Sequence, residues 1–320
     1  VSWIWAFAGG YLLDALFGDP PRRTHPVCLF ARAALGGEKI LRRLASSPLG
    51  LRLAGAILVL TLVGGAWTAG WLVLRAAEEL SPWLASAFGG WMIFSSLARR
   101  DLLRAVGEVE RALSRGSLGT AREKVSELVG RDTACLSAEE VARAAAESAS
   151  ENLVDGVVAP LFYAALGGPA LALAYRAVNT LDSLFGYRDE RCLHFGWAAA
   201  RLDDLANFLP ARLGGLLLLG AAFGEGLPWK SGALAWRLFA PAHPSPNAGI
   251  PEAVTAGCLG LRFGGTNSYG GRVEERALLW PSGRPPRAED LPRVMGLVNR
   301  ASHLGFVLFG VGLLARTVLF

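Results

Sequence analysis

Leu53 to Leu74 is a run of 22 residues without a charge, closed by Arg52 and Arg75. A helix needs roughly 20 apolar residues to cross a bilayer, and in hydrocarbon only a helix or a closed barrel satisfies its own backbone. This stretch commits the chain to a membrane-embedded, helical body. The next run, Leu80 to Ala98, has 19 residues between Glu79 and Arg99 and is expected to return as the second half of a transmembrane hairpin. Charged residues make up 18% of the chain, below the roughly 25% usual for soluble domains. Disorder, a coiled coil and a small disulfide scaffold are thereby excluded.

Shorter runs fill in the rest. Ala301 to Ala315 ends at Arg316, which can snorkel, so a C-terminal span is expected. Val1 to Leu13 is short and stops at Asp14. It has no basic n-region and no small-residue cleavage site, so it reads as a retained helix rather than a signal peptide. Gly156 to Tyr175 is cut by Gly167-Gly168-Pro169, which suits two half-length helices. Seven Arg/Lys between 19 and 52 and nine between 225 and 300 place both segments on the cytoplasmic side. One crossing near 205–224 would contradict that, so either 213–224 is re-entrant or 156–175 also crosses. The expectation is an all-α, polytopic integral membrane protein with about four to five membrane-embedded helices. It is read as one domain over 1–320, with a cytoplasmic helical insert at 99–150 and a cytoplasmic loop region at 225–300. Residues 101–115 and 119–129 read as amphipathic helices, and Ser137 with Glu140 as a capping box opening a helix to 154. No long alternating strand pattern stands out.

Lys plus Arg is 32 and Asp plus Glu is 27, but no basic run exceeds two residues, so nucleic acid is not an expected partner. The four cysteines are scattered, without CxxC spacing, and fit a reducing compartment better than a zinc site.

The most informative acidic residues are Glu147, Glu151 and Asp155, each four apart. On a helix each such step turns about 40°, so the three share a stripe. Like charges so placed repel, and a divalent cation would relieve them; oxygen ligands suit Mg²⁺. A solvated face, with Arg143 pairing to Glu147, is the plain alternative. Asn179 and Asp182 share a face just before the charged segment Tyr187 to Arg191, which reads equally as a turn or a membrane-surface site. Asp203 and Asn207 also face one way, while Asp204 can meet Arg201. Charges on an apolar helix are costly unless paired, and this group loosely resembles the Mg²⁺-diphosphate grips of lipid-phosphate enzymes. HPSPNAG at 243–249 presents Asn247 on a proline-stiffened turn. GGTNSYGG at 264–271 is either a phosphate cradle or a plain turn. GDPPRRTHP at 18–26 is a stiff exit from the first apolar helix, with His25 more often structural in such a setting.

Taken together, these segments resemble the adenosylcobinamide-phosphate synthase family of cobalamin biosynthesis, the CobD/CbiB type. VGRD at 129–132, ESASENLVDGVVAPLFY at 147–163, YRAVNTLDSLFGYRDER at 175–191 and FGWAAARLDDLANFLPARL at 195–213 extend the likeness over nearly the whole chain. Leu278-Leu279-Trp280-Pro281 departs from the family's usual Leu-Gly pair and puts only the local loop shape in doubt.

The resemblance implies a membrane ligase that joins adenosylcobyric acid to an aminopropanol, usually as its O-phosphate, using ATP and Mg²⁺. In that reading Glu147, Glu151, Asp155, Asp182, Asp203 and Asp204 hold Mg²⁺ or serve as base. Asn152, Asn179 and Asn207 add neutral oxygens. Arg131, Arg188, Arg201 and Arg212 grip phosphates. His243, Asn247, Asn267 and Tyr269 line the corrinoid side, and Asp19 and His25 join the substrate contacts. Expected partners are the two small substrates, membrane lipid and the later assembly enzymes. The rivals are a transporter or sensor of the AmpE type and a phosphotransferase acting on a lipid diphosphate.

Overall fold

The computed structural model describes residues 3–21, 23–187 and 189–319. In chain order, the helices are α1 (Ile4–Phe17), α2 (Pro26–Leu44), α3 (Pro48–Leu80), α4 (Pro82–Phe94), α5 (Arg99–Ser114), α6 (Leu118–Ser126) and α7 (Ala138–Leu153). A π-helical turn, Val154–Val158, leads into α8 (Ala159–Gly167) and α9 (Pro169–Phe185). Then come α10 (Cys192–Phe195), α11 (Trp197–Ala206), α12 (Phe208–Gly224), α13 (Trp229–Phe239) and α14 (Gly249–Leu259). A hairpin of β1 (Phe263–Tyr269) and β2 (Arg272–Leu279) precedes the final helix α15 (Leu291–Leu319). The helical, polytopic class holds. The hairpin is an addition that the sequence pattern did not announce.

The chain divides into two compact units, each discontinuous in sequence. The first comprises Val1–Ala98, Ala159–Asn207 and Phe306–Phe320. Its principal feature is α3, a 33-residue helix. Ser47 caps its start by accepting from the Gly50 N–H at 3.1 Å, with Pro48 at the first turn. Ser81 ends it, and Pro82, which has no N–H, opens α4. The Leu80–Ala98 run does not become a second full span: α4 is 13 residues long. Ser95 and Ser96 turn their hydroxyls back onto the Met92 carbonyl, at 3.0 and 2.8 Å, and the helix stops there. Gly167 and Pro169 break α8 from α9 as expected. A buried cluster of Ala54, Leu58, Leu181, Phe185 and Phe195 joins α3 to α9 and α10. Gly55 permits this approach, since a Cβ there would lie on the Phe195 carbonyl.

Among the described residues two helices are long and apolar enough to cross a membrane, Pro48–Leu80 and Ala288–Arg316. The pair Trp197–Ala206 and Phe208–Gly224 would make a third if it counts as one broken span, and α1 is a shorter apolar helix.

The second unit comprises Arg99–Val158 and Phe208–Gly305. Its core is built on α7 and α14. Every residue of α14 is buried, as is α7 from Val141 to Ser150. Alanine at 142, 144, 145, 146 and 149 lets neighbouring backbone come close to α7. The capping box forms as expected, with Ser137 and Glu140 exchanging bonds of 2.7 and 3.2 Å. The expected amphipathic pair is α5 and α6.

Candidate functional site

A buried helix that carries charge must satisfy it locally, because an isolated charge in an apolar interior costs far more than a fold can supply. Beyond the first turn of α7 the charged positions are Arg143, Glu147 and Glu151, and on α14 Glu252. They face one polar cluster within the second unit.

Arg131, in the loop before α7, donates to Glu147 Oε2 at 2.5 Å and to Asn267 Oδ1 at 2.7 Å. The other Glu147 oxygen accepts from the Gly264 N–H at 2.8 Å. Arg143 donates to the Gly264 and Thr266 carbonyls and, at 3.1 Å, to Asn267 Oδ1. These bonds clamp β1 against α7. Asp132 holds the other end, taking the Gly270 and Gly271 N–H groups at 3.1 and 2.8 Å and the Ser268 hydroxyl at 2.8 Å. GGTNSYGG is therefore the inner strand and turn of a hairpin, not an open phosphate loop.

The expected carboxylate stripe is divided by these contacts. Both Glu147 oxygens are taken by protein donors, and Arg131 rather than Arg143 is its ion-pair partner. Asp155 sits in the π-helical turn, off the α-helical spacing that would have aligned it. Among the described residues no three His, Cys, Asp or Glu side chains gather as a metal site. Of the expected five-residue Mg²⁺ set, Glu151 and Asp155 lie in the second unit and Asp182, Asp203 and Asn207 in the first. Mg²⁺ commonly rests on one or two carboxylates plus substrate phosphates and water.

Glu151 stands apart. Among the described residues no hydrogen bond or ion pair engages it. It keeps an accessible face, yet protein surrounds the carboxyl closely enough that burial raises its pKa. The charge of Glu147 adds to the rise, and Arg276 and Arg131 oppose it. Asn152 beside Glu151 donates to the Ser148 carbonyl at 3.0 Å.

Across the cluster, His243 Nδ1 accepts from the Ser245 N–H at 3.0 Å. Burial lowers the His243 pKa, with Arg276 adding to the effect. Nδ1 also lies 3.3 Å from the Ser245 carbonyl, and the tautomer that keeps the bond from the Ser245 N–H carries its proton on Nε2. Nε2 lies 3.7 Å from Glu252 Oε1. Burial, then Glu147 and Glu151, push the Glu252 pKa well above the carboxylate range. Such a group stabilises the fold fully below its unfolded pKa, and that contribution is lost as pH rises through the folded value. Glu252→Gln is therefore expected to melt higher than the parent at neutral pH and to lose that advantage below about pH 4. A parallel pair of melting curves across pH would refute this.

The other expected site residues are placed as follows. Arg212 donates to the Phe208 carbonyl at 2.6 Å and to the buried Asn247 Oδ1 at 3.2 Å, with its guanidinium over the Phe208 ring. Tyr269 lies beneath Arg276, 5.4 Å from guanidinium carbon to ring centre. In the first unit, His25 caps α2 by accepting from the Val27 N–H and lies 3.7 Å from Asp19. Asn179 Oδ1 accepts from Arg176 at 3.0 Å. Asp182 accepts the Gly186 N–H through its own carbonyl. Asn207 bridges Tyr175 and Asp203, at 2.9 and 3.0 Å. Arg201 meets Asp204 at 3.1 Å, as the spacing foretold. Arg188 lies outside the described residues. Glu252 and Arg276 were missed. Glu252 follows the HPSPNAG motif closely, but Arg276 sits in a segment, RVEERALL, that reads as helix.

The sequence model described as CobD/CbiB protein matches residues 7–298. A "Cobalamin biosynthesis protein CobD" of Klebsiella pneumoniae subsp. pneumoniae is 42% identical over 308 residues, 95% of each chain. A "Cobalamin biosynthesis protein CbiB" of Salmonella arizonae is 41% identical over 307 residues, 96% of each chain. No solved structure matches. With a match across nearly its full length and relatives at this identity, the chain belongs to the CobD/CbiB protein family.

Proposed function

We propose that the chain works in cobalamin biosynthesis as an adenosylcobinamide-phosphate synthase. In this reading it joins adenosylcobyric acid to 1-aminopropan-2-ol O-phosphate, or a related aminoalcohol phosphate, through an amide bond formed at the expense of ATP. The relatives' names support the pathway. The observation that carries the chemistry is Glu151, a carboxylate that no protein donor engages, with the Arg276 charge acting on it.

A carboxylate is a poor electrophile, so the acid is first phosphorylated to an acyl phosphate with a good leaving group. The amine attacks in its neutral form. The C–N bond forms, the C–O bond to phosphate breaks, inorganic phosphate leaves, and the proton shed by nitrogen passes to a base. Glu151 fits that role: solvent reaches it, no protein donor occupies it, and burial favours its protonated state. Mg²⁺, when bound, would neutralise the nucleotide's phosphates. Asp155, one turn on from Glu151 in the same unit, would meet such an ion, and no step here depends on it. The reading sets the protein in a cell membrane with Glu151 on the cytoplasmic side, as the Arg/Lys excess of 225–300 favours.

The test is ADP release by detergent-purified protein. The reading requires that ADP appear only when both the corrinoid acid and the aminoalcohol phosphate are supplied. Corrinoid binding without ADP release under any combination would favour a carrier or sensor.

A further inference from the structure

Arg276 is the other uncommitted charge of the cluster. Arg131 and Arg143 are spent on Glu147, Asn267 and the β1 backbone. Among the described residues the Arg276 side chain has no hydrogen bond or ion pair; it stacks on the face of Tyr269, and its charge acts on Glu151 and Glu252. Its Nε is buried without an acceptor. A guanidinium has five N–H donors in a rigid plane, and stacking on an aromatic ring holds that plane while leaving its edge open.

Two further donors near it are buried and unmet. Asn267 is 3% exposed, its Oδ1 shared by Arg131 and Arg143 and its Nδ2 without a partner. The His243 side chain is 7% exposed, and its Nε2 also lacks a hydrogen-bond partner. In the hairpin register Gly265 pairs with Arg276 and Asn267 with Glu274. Residues two apart on a strand share a face, so Asn267 and Arg276 lie on the same face of the hairpin. Gly265, opposite Arg276, offers no side chain to cover the guanidinium. Buried donors without acceptors are rare in folded proteins and point to an absent partner. Glu151 and Glu252 also lie close enough for their charges to act on Arg276, but among the described residues neither accepts a hydrogen bond from these three groups, so the missing partner is an oxygen-rich anion. Bidentate geometry at arginine suits a phosphate.

We propose that Arg276, with Asn267 Nδ2 and His243 Nε2–H, forms a seat for a phosphate monoester, that of the aminoalcohol substrate. This rests on the ligation reading above. With its phosphate in the seat, the amine of a short aminoalcohol phosphate falls toward Glu151 on the neighbouring α7. The seat would thus select a phosphorylated over a plain aminoalcohol. Nucleotide phosphate shares the same chemistry, and the experiment separates the two sources.

The experiment compares full-length parent protein, Arg276→Gln and Arg276→Lys in detergent, with matched melting curves as the folding control. The readout is the kcat/KM ratio for 1-aminopropan-2-ol O-phosphate over plain 1-aminopropan-2-ol. Loss of a charge-assisted bidentate contact should lower that ratio about 10- to 100-fold in Arg276→Gln. Arg276→Lys, which keeps the charge without the fork, should fall in between. If the ratio holds but the KM for ATP rises at least as much, the seat stands and belongs to the nucleotide. An unchanged ratio together with an unchanged ATP KM overturns the seat while leaving ligation intact. Calorimetric titration with aminopropanol phosphate alone covers the opposite case. Binding that weakens in Arg276→Gln, in a protein that forms no amide, would preserve the seat and sink the ligation reading.

Discussion

Glu151→Gln is expected to slow amide formation by about 10²- to 10⁴-fold, the usual range for removing a general base. The protein should remain folded. Among the described residues no hydrogen bond or ion pair is lost with the carboxylate, and a neutral amide avoids the desolvation that raises the Glu151 pKa. The pH profile supplies a second readout. The base acts ionised, so kcat/KM should rise with pH through a pKa above the ordinary glutamate range, and that limb should vanish in Glu151→Gln. Activity within threefold of the parent, with the limb intact, would remove Glu151 from the chemistry.

Arg131→Ala should be the most destabilising single change in the second unit, by about 3–5 kcal/mol. The Arg131–Glu147 pair is 2.5 Å apart, with side chains 5% and 6% exposed. Solvent screening is therefore slight, and removing the cation strands a buried carboxylate. Asn267 also loses one of its two arginine donors, so β1 should loosen from α7. Replacing both members, as Arg131→Met with Glu147→Leu, should recover part of the loss, because an apolar pair avoids the buried charge. Denaturant melts in micelles measure this. A loss under 1 kcal/mol for Arg131→Ala would show that the clamp carries little of the unit's stability.

Much of this fold can be read from the residues because the rules that govern it are local. Leu53 to Leu74 has to be a helix by its length and lack of charge, and Pro48–Leu80 contains it. Gly167-Gly168-Pro169 has to break the chain, and Ser137 with Glu140 has to start a helix. The hairpin escapes such reasoning. Its inner strand is glycine-rich and its outer strand is rich in Glu, Arg and Leu. Side chains more than a hundred residues away, Arg131, Asp132 and Arg143, fix its place. The same limit applies to the site. Period-four spacing finds Glu147 and Glu151 together, but cannot say that Glu147 is spent on Arg131 and Gly264 while Glu151 stays open. Nor can it extend the stripe to Asp155, since the π-helical turn begins at Val154. Arg276 becomes visible only when β1 and β2 are paired.

The most direct test of the account is the product itself. Detergent-purified protein is incubated with adenosylcobyric acid, 1-aminopropan-2-ol O-phosphate, Mg²⁺ and ATP, and the corrinoid is followed by mass spectrometry. The account predicts a corrinoid heavier by aminopropanol phosphate less one water, formed only when ATP is present. A corrinoid that binds the protein and is recovered with its mass unchanged would contradict it.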